Sequence, residues 1–559
     1  MRHSVRFLSK LCEEGKVAGA VAAVEQMHKQ GHQLSAYVFY CLLKGCTRKK
    51  DLATGRRVRC LIVNSKYGTK TLLGNHLIHM FSSGGSLLEA LHEFRRFAEA
   101  DVHMWSAIIS AHAKHGKGEQ AIDLYNEMCC CTNVVADSHT YVAVLNGCAS
   151  IGALTQGRLV HSHILESGLE LDPFVGSSLV DMYSKCGSLD EARQVFLQLR
   201  VRDVVCWTSI IDACAKEGYG EEALHLFEQM QKEGVEPNKV TLLCVLKACN
   251  SIEGLQRGML IHEQISSRRW DSDTELGNAL IDMYAKCGNL PRAFGVFLKL
   301  PSRNVVSWTT MITGLAQKKH GQAAFQLFAQ MQEEGVEPNK VTFVGLLKAC
   351  CSMGALDQGK LIHAQLVTKG LDTDLVIGNI LIDMYARCGS INNAWKIFLE
   401  LPERDIVSWN AMINACAQQG HGKEALYLFE QMKEQSVQPD KITFLSLLCA
   451  CSHTGLIGEG FHLFDLMSKD FGIIPSTDHY TCMIDLLGRA GKLYEAHDFI
   501  NAMPLPPDAG VWLSLLGACR THGNFELGKL SFKSLVEIDP RNAAAYMLMG
   551  SIYSACGRL

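Results

Sequence analysis

Hydrophobic residues recur at helical spacing along most of the chain and are interrupted at regular intervals by glycine. The stretch VVCWTSIIDACAKEGYGEEALHLFEQMQKEGVEPN, from Val204 to Asn238, carries two such segments on either side of Gly218 and ends in a turn that contains Pro237. Apolar side chains three or four residues apart fall on one face of an α-helix, and glycine and proline mark its ends. The pattern therefore predicts a hairpin of two antiparallel helices.

This pattern returns along the chain with a fixed period. Related segments begin at Gly176, Gly277 and Gly378, 101 residues apart, and a weaker copy begins at Gly74. Each period divides into three hairpins of 35, 35 and 31 residues, as in 204–238, 239–273 and 274–304. A hairpin this small cannot bury its apolar stripe alone, so neighbouring hairpins must cover it. We therefore expect an all-α solenoid of stacked helix-turn-helix repeats.

Composition and charge narrow the functional classes. Hydrophobic residues make up 48% of the 559 residues and charged residues 20%, as in soluble proteins, and no apolar run is long enough to cross a membrane. The net charge of -3 gives no overall basic signal, so contacts with nucleic acid would depend on locally placed Lys and Arg. The 23 cysteines contain no C-x-x-C motif, and we expect reduced thiols rather than disulfides or metal ligands.

The motifs GNALIDMYAKCGNLPRAFGVFLKLPSRNVVSWTTMI and GNILIDMYARCGSINNAWKIFLELPERDIVSWNAMI, together with the alternating lengths, carry a family resemblance. Along its whole length the chain resembles a plant pentatricopeptide repeat protein of the PLS class, in which P, L and S repeats alternate. The resemblance implies a right-handed superhelical solenoid of about fifteen repeats. The P repeats would be 1–35, 102–137, 204–238, 305–339 and 406–440; the L repeats 36–70, 138–172, 239–273, 340–374 and 441–476; and the S repeats 71–101, 173–203, 274–304, 375–405 and 477–508.

The residues after 508 resemble the E motifs of the same class. AGVWLSLLGACRTHGNFELGKLSFKSLVEIDPRN (509–542) resembles the first E motif, and 543–559 begins a second one that stops halfway. The first repeat begins at Met1, with no clear transit peptide. We therefore expect a truncated chain that carries no DYW deaminase domain.

A polar residue holds the fifth place of the P and S repeats but not of the L repeats. These polar residues are Asn75, Ser106, Ser177, Thr208, Asn278, Thr309, Asn379, Asn410 and Thr481. The L repeats have Tyr40, Val142, Leu243, Val344 and Leu445 there, and the first repeat has Val5. Amide and hydroxyl side chains can bond the edge of an RNA base, so this column is the candidate base-reading position.

The resemblance implies a second base-reading position at the last residue of each repeat. It is Asp101, Asp137, Asp203, Asn238, Asn304, Asn339, Asp405, Asp440 and Asp508. Small polar residues also suit helix ends and turns, which would explain the last position alone. That explanation accounts poorly for the difference between repeat types at the fifth position.

Two further columns are candidates for RNA contacts. The resemblance implies stacking of bases on the second residue, which is Val205, Val306, Val376 and Val407, whereas Glu275 breaks the pattern. The thirteenth residue is basic in Lys114, Lys185, Lys216, Lys286, Arg387 and Arg489. Such a column would neutralise phosphates and make binding sensitive to salt, although a solvated helix end also tolerates lysine.

The correspondence between side chains and bases in this family predicts a target sequence. In each pair the first residue named is at the fifth position and the second is at the last position of the repeat. The pair Asn and Asp favours U, and the pair Asn and Asn favours a pyrimidine. Thr or Ser with Asp favours G, and Thr with Asn favours A. With the L repeats unread, the predicted site is 5′-N-N-U-G-N-G-A-N-Y-A-N-U-U-N-G-3′. The second P repeat has one extra residue near Cys129, which weakens the assignment of its base.

The resemblance implies sequence-specific binding of single-stranded RNA in an organelle, with the mitochondrion slightly favoured over the chloroplast. The E-like tail favours a specificity factor for C-to-U editing. A zinc deaminase needs H-x-E and P-C-x-x-C, and neither motif occurs, so the tail would recruit a deaminase or editing cofactor in trans. We expect no enzymatic activity, cofactor or metal in this chain. Two alternatives stay open: a factor that stabilises or processes organelle RNA without editing, and a peptide-binding scaffold like the tetratricopeptide arrays.

Overall fold

The computed structural model describes residues 11–12, 16–30, 34–68, 71–97, 100–131 and 133–555, and this part of the chain forms 32 helices and no strand. The first fifteen helices are α1 (Val17–Lys29), α2 (Ala36–Lys49), α3 (Leu52–Val63), α4 (Thr71–Ser83), α5 (Leu87–Arg95), α6 (Val102–Lys114), α7 (Gly118–Cys131), α8 (Ser138–Ile151), α9 (Leu154–Ser167), α10 (Pro173–Lys185), α11 (Leu189–Gln198), α12 (Val204–Lys216), α13 (Gly220–Lys232), α14 (Lys239–Ser251) and α15 (Leu255–Ser267). The others are α16 (Thr274–Lys286), α17 (Leu290–Lys299), α18 (Val305–Gln317), α19 (Gly321–Glu333), α20 (Lys340–Met353), α21 (Leu356–Thr368), α22 (Leu375–Arg387), α23 (Ile391–Glu400), α24 (Ile406–Gln418), α25 (Gly422–Glu434), α26 (Lys441–Thr454), α27 (Ile457–Lys469), α28 (Thr477–Arg489), α29 (Leu493–Asn501), α30 (Ala509–His522), α31 (Phe525–Ile538) and α32 (Ala543–Ala555). The all-α repeat fold is confirmed.

Even-numbered helices from α2 to α30 are the first helices of hairpins, and odd-numbered ones are the second helices. Most of the first helix predicted for repeat 1–35, including Val5, lies outside the described residues, as do the last four residues of the second E-like unit. The division into P, L and S repeats stays a prediction.

The hairpin of α12 and α13 shows how local sequence sets the helix ends. Asp203 caps α12, because its Oδ1 accepts a hydrogen bond from the backbone nitrogen of Cys206 at 2.8 Å. Gly218, with φ of +85°, lies between the helices in a conformation that favours glycine. Trp207 is fully buried and packs edge-on against Phe196 of the preceding repeat, with 4.8 Å between ring centroids. This tryptophan is therefore a packing residue.

The glycine that begins the repeated motif permits a close contact inside four of the five S repeats. A Cβ on Gly277 would lie 2.4 Å from Cδ2 of Leu300, and one on Gly378 would lie 2.5 Å from Cδ2 of Leu401. Carbon atoms at these distances overlap, so any side chain here would push the first helix away from the leucine that ends the same hairpin. The recurrence of glycine thus follows from packing.

The helices form two compact units, residues up to Asp271 and residues from Ser272 onward. In the first unit α6 packs on α8 and α8 on α10, and in the second α24 packs on α26 and α26 on α28. Within each unit, second helices pack on their own first helix and on the next one, as α13 does on α12 and α14. The first helices therefore form a layer within each unit, and this layer carries the candidate residues.

The E-like tail extends the hydrophobic core of the last repeat. Ile484, Trp512, Leu535 and Ile552 belong to one buried cluster, and α32 packs on both α30 and α31. The tail is thus one further hairpin followed by a single helix. Among the described helices, none has both the length and the apolar character needed to span a membrane.

Candidate nucleic-acid interface

The second residue of the first helices projects an apolar side chain into solvent. The exposed fraction is 51% for Val205 and 48% for Val306, and Val376 and Val407 are exposed to a similar extent. Their neighbours along the helix, such as Trp207, are buried, so this exposure is a property of the position. An exposed apolar side chain beside polar groups can stack on the face of a base.

The structure adds members to this column that the sequence analysis missed. Val240, Val341 and Ile442, the second residues of three L repeats, are as exposed as the valines of the P repeats. Comparing the second position across all three repeat types would have found them, because each is a β-branched apolar residue. The exposed apolar column at this position therefore continues into L repeats.

The fifth residues lie on the same face of the helices, one turn further along, but most are buried. The buried ones are Ser106, Ser177, Thr208, Thr309, Asn379 and Asn410, with exposed fractions of 4% to 9%. Asn75, Asn278 and Thr481 are half-buried. Buried polar groups need hydrogen-bond partners, and the neighbouring repeat supplies them.

Four of the nine predicted pairs of fifth and last residues are joined by a direct hydrogen bond. Ser177 Oγ donates to Asp203 Oδ1 at 3.0 Å, and Asn410 Nδ2 donates to Asp440 Oδ1 at 3.0 Å. The other two bonds join Ser106 to Asp137 at 3.2 Å and Asn379 to Asp405 at 3.4 Å. Among the described residues, no direct hydrogen bond joins Asn75 to Asp101, Thr208 to Asn238, Asn278 to Asn304, Thr309 to Asn339 or Thr481 to Asp508.

Every last residue of the candidate column also caps the next first helix. Asp440 Oδ1 accepts from the backbone nitrogen of Thr443 at 2.9 Å, and Asn339 Oδ1 accepts from that of Thr342 at 3.0 Å. The same bond is made by Asp101, Asp137, Asp203, Asn238, Asn304, Asp405 and Asp508. Capping therefore accounts for one oxygen of each side chain and leaves the second carboxylate oxygen of Asp, or the amide nitrogen of Asn, for another partner.

Two aspartates of these pairs, Asp137 and Asp405, have a lowered pKa. Burial tends to raise the pKa of Asp137, but hydrogen bonds from Thr140 and Ser106 outweigh burial and hold the pKa below its ordinary value. Burial acts in the same way on Asp405, where hydrogen bonds from Ser408 and Asn379 leave the pKa lowered. An ionised carboxylate only accepts hydrogen bonds, which restricts the base edges it can face.

The basic column is largely paired with acids inside the same helix. Lys185 bonds Asp181 at 2.7 Å, and Arg387 bonds Asp383 at 2.8 Å. Lys216, Lys286 and Arg489 make the same i,i+4 ion pair with Asp212, Asp282 and Asp485. The residue four places before Lys114 is a serine, so no such pair is possible there. These exposed ion pairs contribute little to stability, but in each of them an aspartate offsets the positive charge of the basic side chain.

Exposed lysines also occupy the ninth position of three L repeats, which the sequence analysis missed, namely Lys44, Lys247 and Lys348. Lys247 and Lys348 lie on the exposed face of α14 and α20, and no salt bridge involves either one in the described part of the chain. Their signal in the sequence was the lysine shared by VLKAC and LLKAC. They add positive charge beside the candidate interface.

Comparison with known proteins now identifies the family. The model of the PPR repeat family matches residues 100–150, 202–251, 303–352 and 404–453, and that of the PPR repeat matches 177–204, 278–305, 379–406, 442–470 and 478–504. The chain belongs to the pentatricopeptide repeat family. It is 36% identical over 523 residues to pentatricopeptide repeat-containing protein At1g06140, mitochondrial, of Arabidopsis thaliana, covering 92% of this chain and 93% of the relative. It is 40% identical over 453 residues to CRR2, chloroplastic, of the same plant, covering 80% of this chain and 68% of that protein.

Other relatives are longer than this pentatricopeptide repeat chain. It matches At4g33990 of Arabidopsis thaliana at 35% identity over 532 residues, which are 93% of this chain but 62% of the relative. The crystal structure of PPR10 in complex with an 18-nt psaJ RNA element is similar with a TM-score of 0.58 at 18% identity, covering 100% of this chain and 82% of PPR10. That similarity shows the fold.

Proposed function

We propose that this chain binds single-stranded RNA in a sequence-specific manner, with one base at each P and S repeat. The observation that carries the proposal is the repeated arrangement of an exposed apolar second residue beside a hydrogen-bonded pair of fifth and last residues. Val407, Asn410 and Asp440 show it in one repeat. The apolar side chain would stack on the base, and the polar pair would bond its edge. A related protein of the same fold, PPR10, binds an RNA element.

An asparagine bonded to an aspartate places a donor beside an acceptor. Asn410 Nδ2 carries two hydrogens, and Asp440 Oδ1 holds one of them. The second hydrogen can bond a carbonyl oxygen of uracil, while the free carboxylate oxygen accepts from uracil N3–H. Cytosine has a lone pair at N3 and would repel the carboxylate. The pair therefore favours U, and replacing Asp by Asn, which carries both a donor and an acceptor, admits either pyrimidine.

Phosphates would be contacted by the basic residues near the same face. Lys247 and Lys348 are available as single charges, whereas Lys185 and Arg387 are already paired with aspartates. A phosphate must compete with Asp181 or Asp383 for the paired side chains, so each contributes less than a full charge. This explains how a chain of net charge -3 could still bind RNA with moderate salt dependence.

Within this proposal the chain acts in a mitochondrion or chloroplast and specifies cytidines for C-to-U editing. Its relatives At1g06140 and CRR2 are named as a mitochondrial and a chloroplastic protein, respectively, which supports the location. The hairpin of α30 and α31 packs on the last repeat and would be the docking surface for a deaminase in trans. A role in stabilising or processing a transcript without editing shares the RNA-binding step, and the assays below separate the two roles.

The first experiment is a fluorescence polarisation titration of the purified chain. The two ligands are the predicted RNA, 5′-NNUGNGANYANUUNG-3′ with one fixed base at each N, and the same RNA with A in place of the two U bases that face Asn379 and Asn410. We expect the first to bind about tenfold more tightly, a difference of about 1.4 kcal/mol. As a matched control, changing the base that faces the L repeat 340–374 should alter affinity by less than about twofold.

A designed change of preference makes the test specific to the paired residues. The double variant Asn379→Thr with Asp405→Asn should prefer A to U at the facing base. Absence of binding to either RNA at low salt would refute the proposal and favour a peptide-binding scaffold. If binding is confirmed, loss of C-to-U conversion downstream of the site in plants without the chain supports editing, whereas loss of the transcript with editing intact supports stabilisation.

A further inference from the structure

The third residue of four of the five L repeats is a threonine that lies between the fifth and last residues of the P repeat before it. Thr140, Thr241, Thr342 and Thr443 hold this place, and each is completely buried. Their hydroxyl groups touch the fifth residue of the preceding P repeat. The distances between oxygens are 2.7 Å for both Thr208 with Thr241 and Thr309 with Thr342, and 2.6 Å for both Ser106 with Thr140 and Asn410 with Thr443.

The same hydroxyl group also contacts the last residue of the P repeat. Thr342 Oγ1 lies 3.0 Å from Asn339 Oδ1, and Thr140 Oγ1 lies 2.7 Å from Asp137 Oδ1. In the repeats 204–238 and 305–339 the two candidate base-reading residues make no direct hydrogen bond among the described residues. There the threonine of the next repeat is the group that connects them.

The S repeats are built differently. The third residue of the P repeat that follows them is Met104, Cys206, Ser307 or Ser408. Among the described residues, the hydroxyl groups of Ser307 and Ser408 bond only the last residue of the S repeat, Asn304 at 3.1 Å and Asp405 at 2.9 Å. Accordingly, the buried Oδ1 of Asn379 has no hydrogen-bond partner in the structure, whereas the Oδ1 of Asn410, in a P repeat, accepts from Thr443.

We propose that the third-position threonine of these four L repeats is a third determinant of base specificity for the P repeat before each of them. The inference rests on the proposed RNA-binding function and deepens it. It also predicts that the same pair of fifth and last residues has a different base preference in a P repeat than in an S repeat. The reason is that only the pairs of P repeats are contacted by the threonine of a following L repeat.

A single proton explains how the threonine would transmit the identity of the last residue. Thr342 Oγ1 accepts from the backbone nitrogen of Asn339 at 3.3 Å and has one proton to donate, either to Asn339 or to Thr309. If that proton goes to Thr309, the hydroxyl of Thr309 is free to donate to the base. If it goes to residue 339, Thr309 must donate to Thr342 and presents a lone pair instead. An aspartate at residue 339 would attract the proton more strongly than asparagine does.

The test is a double-mutant cycle on base preference at the nucleotide facing Thr309. The full chain is titrated with two RNAs that carry A or G at this nucleotide. In the wild-type background, Asn339→Asp should change the preference from A to G by about tenfold or more in the ratio of affinities. In the Thr342→Val background the same change should alter the ratio by less than about threefold, whereas Thr342→Ser, which keeps the hydroxyl, should preserve the effect.

Matched controls separate specificity from stability. Ser307 is the third residue of the repeat that follows the S repeat 274–304, the same place that Thr342 holds after a P repeat. Ser307→Ala removes its hydroxyl but should leave the base preference at the nucleotide facing Asn278 unchanged. Thermal melting identifies a variant that fails to fold, and Thr241→Val with Asn238→Asp then repeats the cycle in the first unit. A full effect of Asn339→Asp without the Thr342 hydroxyl would overturn the inference, because residue 339 would then act on the base directly. If the wild-type chain binds RNA but shows no preference at this nucleotide, the base assignment for this repeat fails and the inference fails with it.

Discussion

Replacing Gly220 with alanine should loosen the junction between a P repeat and the following L repeat. A Cβ at Gly220 would lie 2.3 Å from Ser251 Oγ, 2.7 Å from Ile252 Cγ2 and 2.8 Å from the backbone oxygen of Ala248. The backbone oxygen cannot rotate away, so α13 or α14 must move. Overpacking of this kind costs about 1–3 kcal/mol, and replacing glycine in a helix returns at most about 1 kcal/mol. We expect a net loss of about 1–2 kcal/mol of local stability.

Hydrogen exchange followed by mass spectrometry measures this loss where it occurs. A loss of about 1–2 kcal/mol should speed the exchange of protected amides in α13 and α14 by about 5–30-fold, while peptides of the second unit keep their protection. The matched control is Gly295→Ala in the middle of α17, where an added Cβ meets no atom within 4 Å. In this control variant, the protection of the α17 amides against exchange should be unchanged or slightly greater. Equal exchange in the two variants would refute the packing argument.

Three further predictions concern charge, pH and oxidation. Asp383→Asn releases Arg387 from its ion pair, so RNA should bind more tightly at low salt, and the slope of log affinity against log salt should steepen by about 0.7. Burial lowers the pKa of His363 from 6.5, so the unfolded chain binds a proton more readily, and the melting temperature should fall as pH drops from 7.5 to 5.5 and fall less in His363→Gln. The thiols of Cys449 and Cys482 lie 3.1 Å apart, and we expect glutathione disulfide to oxidise this pair to a disulfide before other cysteines, as peptide mapping without reductant would show. An unchanged salt slope, a melting temperature independent of pH, or random pairing of cysteines would contradict the respective prediction.

The repeat fold was predictable because its signals are local and occur many times. Helix caps such as Asp203, the break at Gly218 and the buried Trp207 each act within one or two hairpins, so the pattern around them specifies the fold. The ion pairs of the basic column were also visible in the sequence, since Asp181 and Lys185 are four residues apart on one helix. Attention to that spacing would have shown that the column carries little unpaired charge.

The sequence by itself determined the period, the helical faces and the polar character of the fifth and last positions, because these depend on interactions over a few residues. Only the tertiary structure decided which of these side chains meet. Thr342 contacts Thr309 because two first helices stack closely enough for their hydroxyl groups to lie 2.7 Å apart. The Oδ1 of Asn379 lacks a partner because no hydroxyl reaches it at its own junction. Such contacts depend on the distance between hairpins, which is set by packing across repeats and has no signature within one helix.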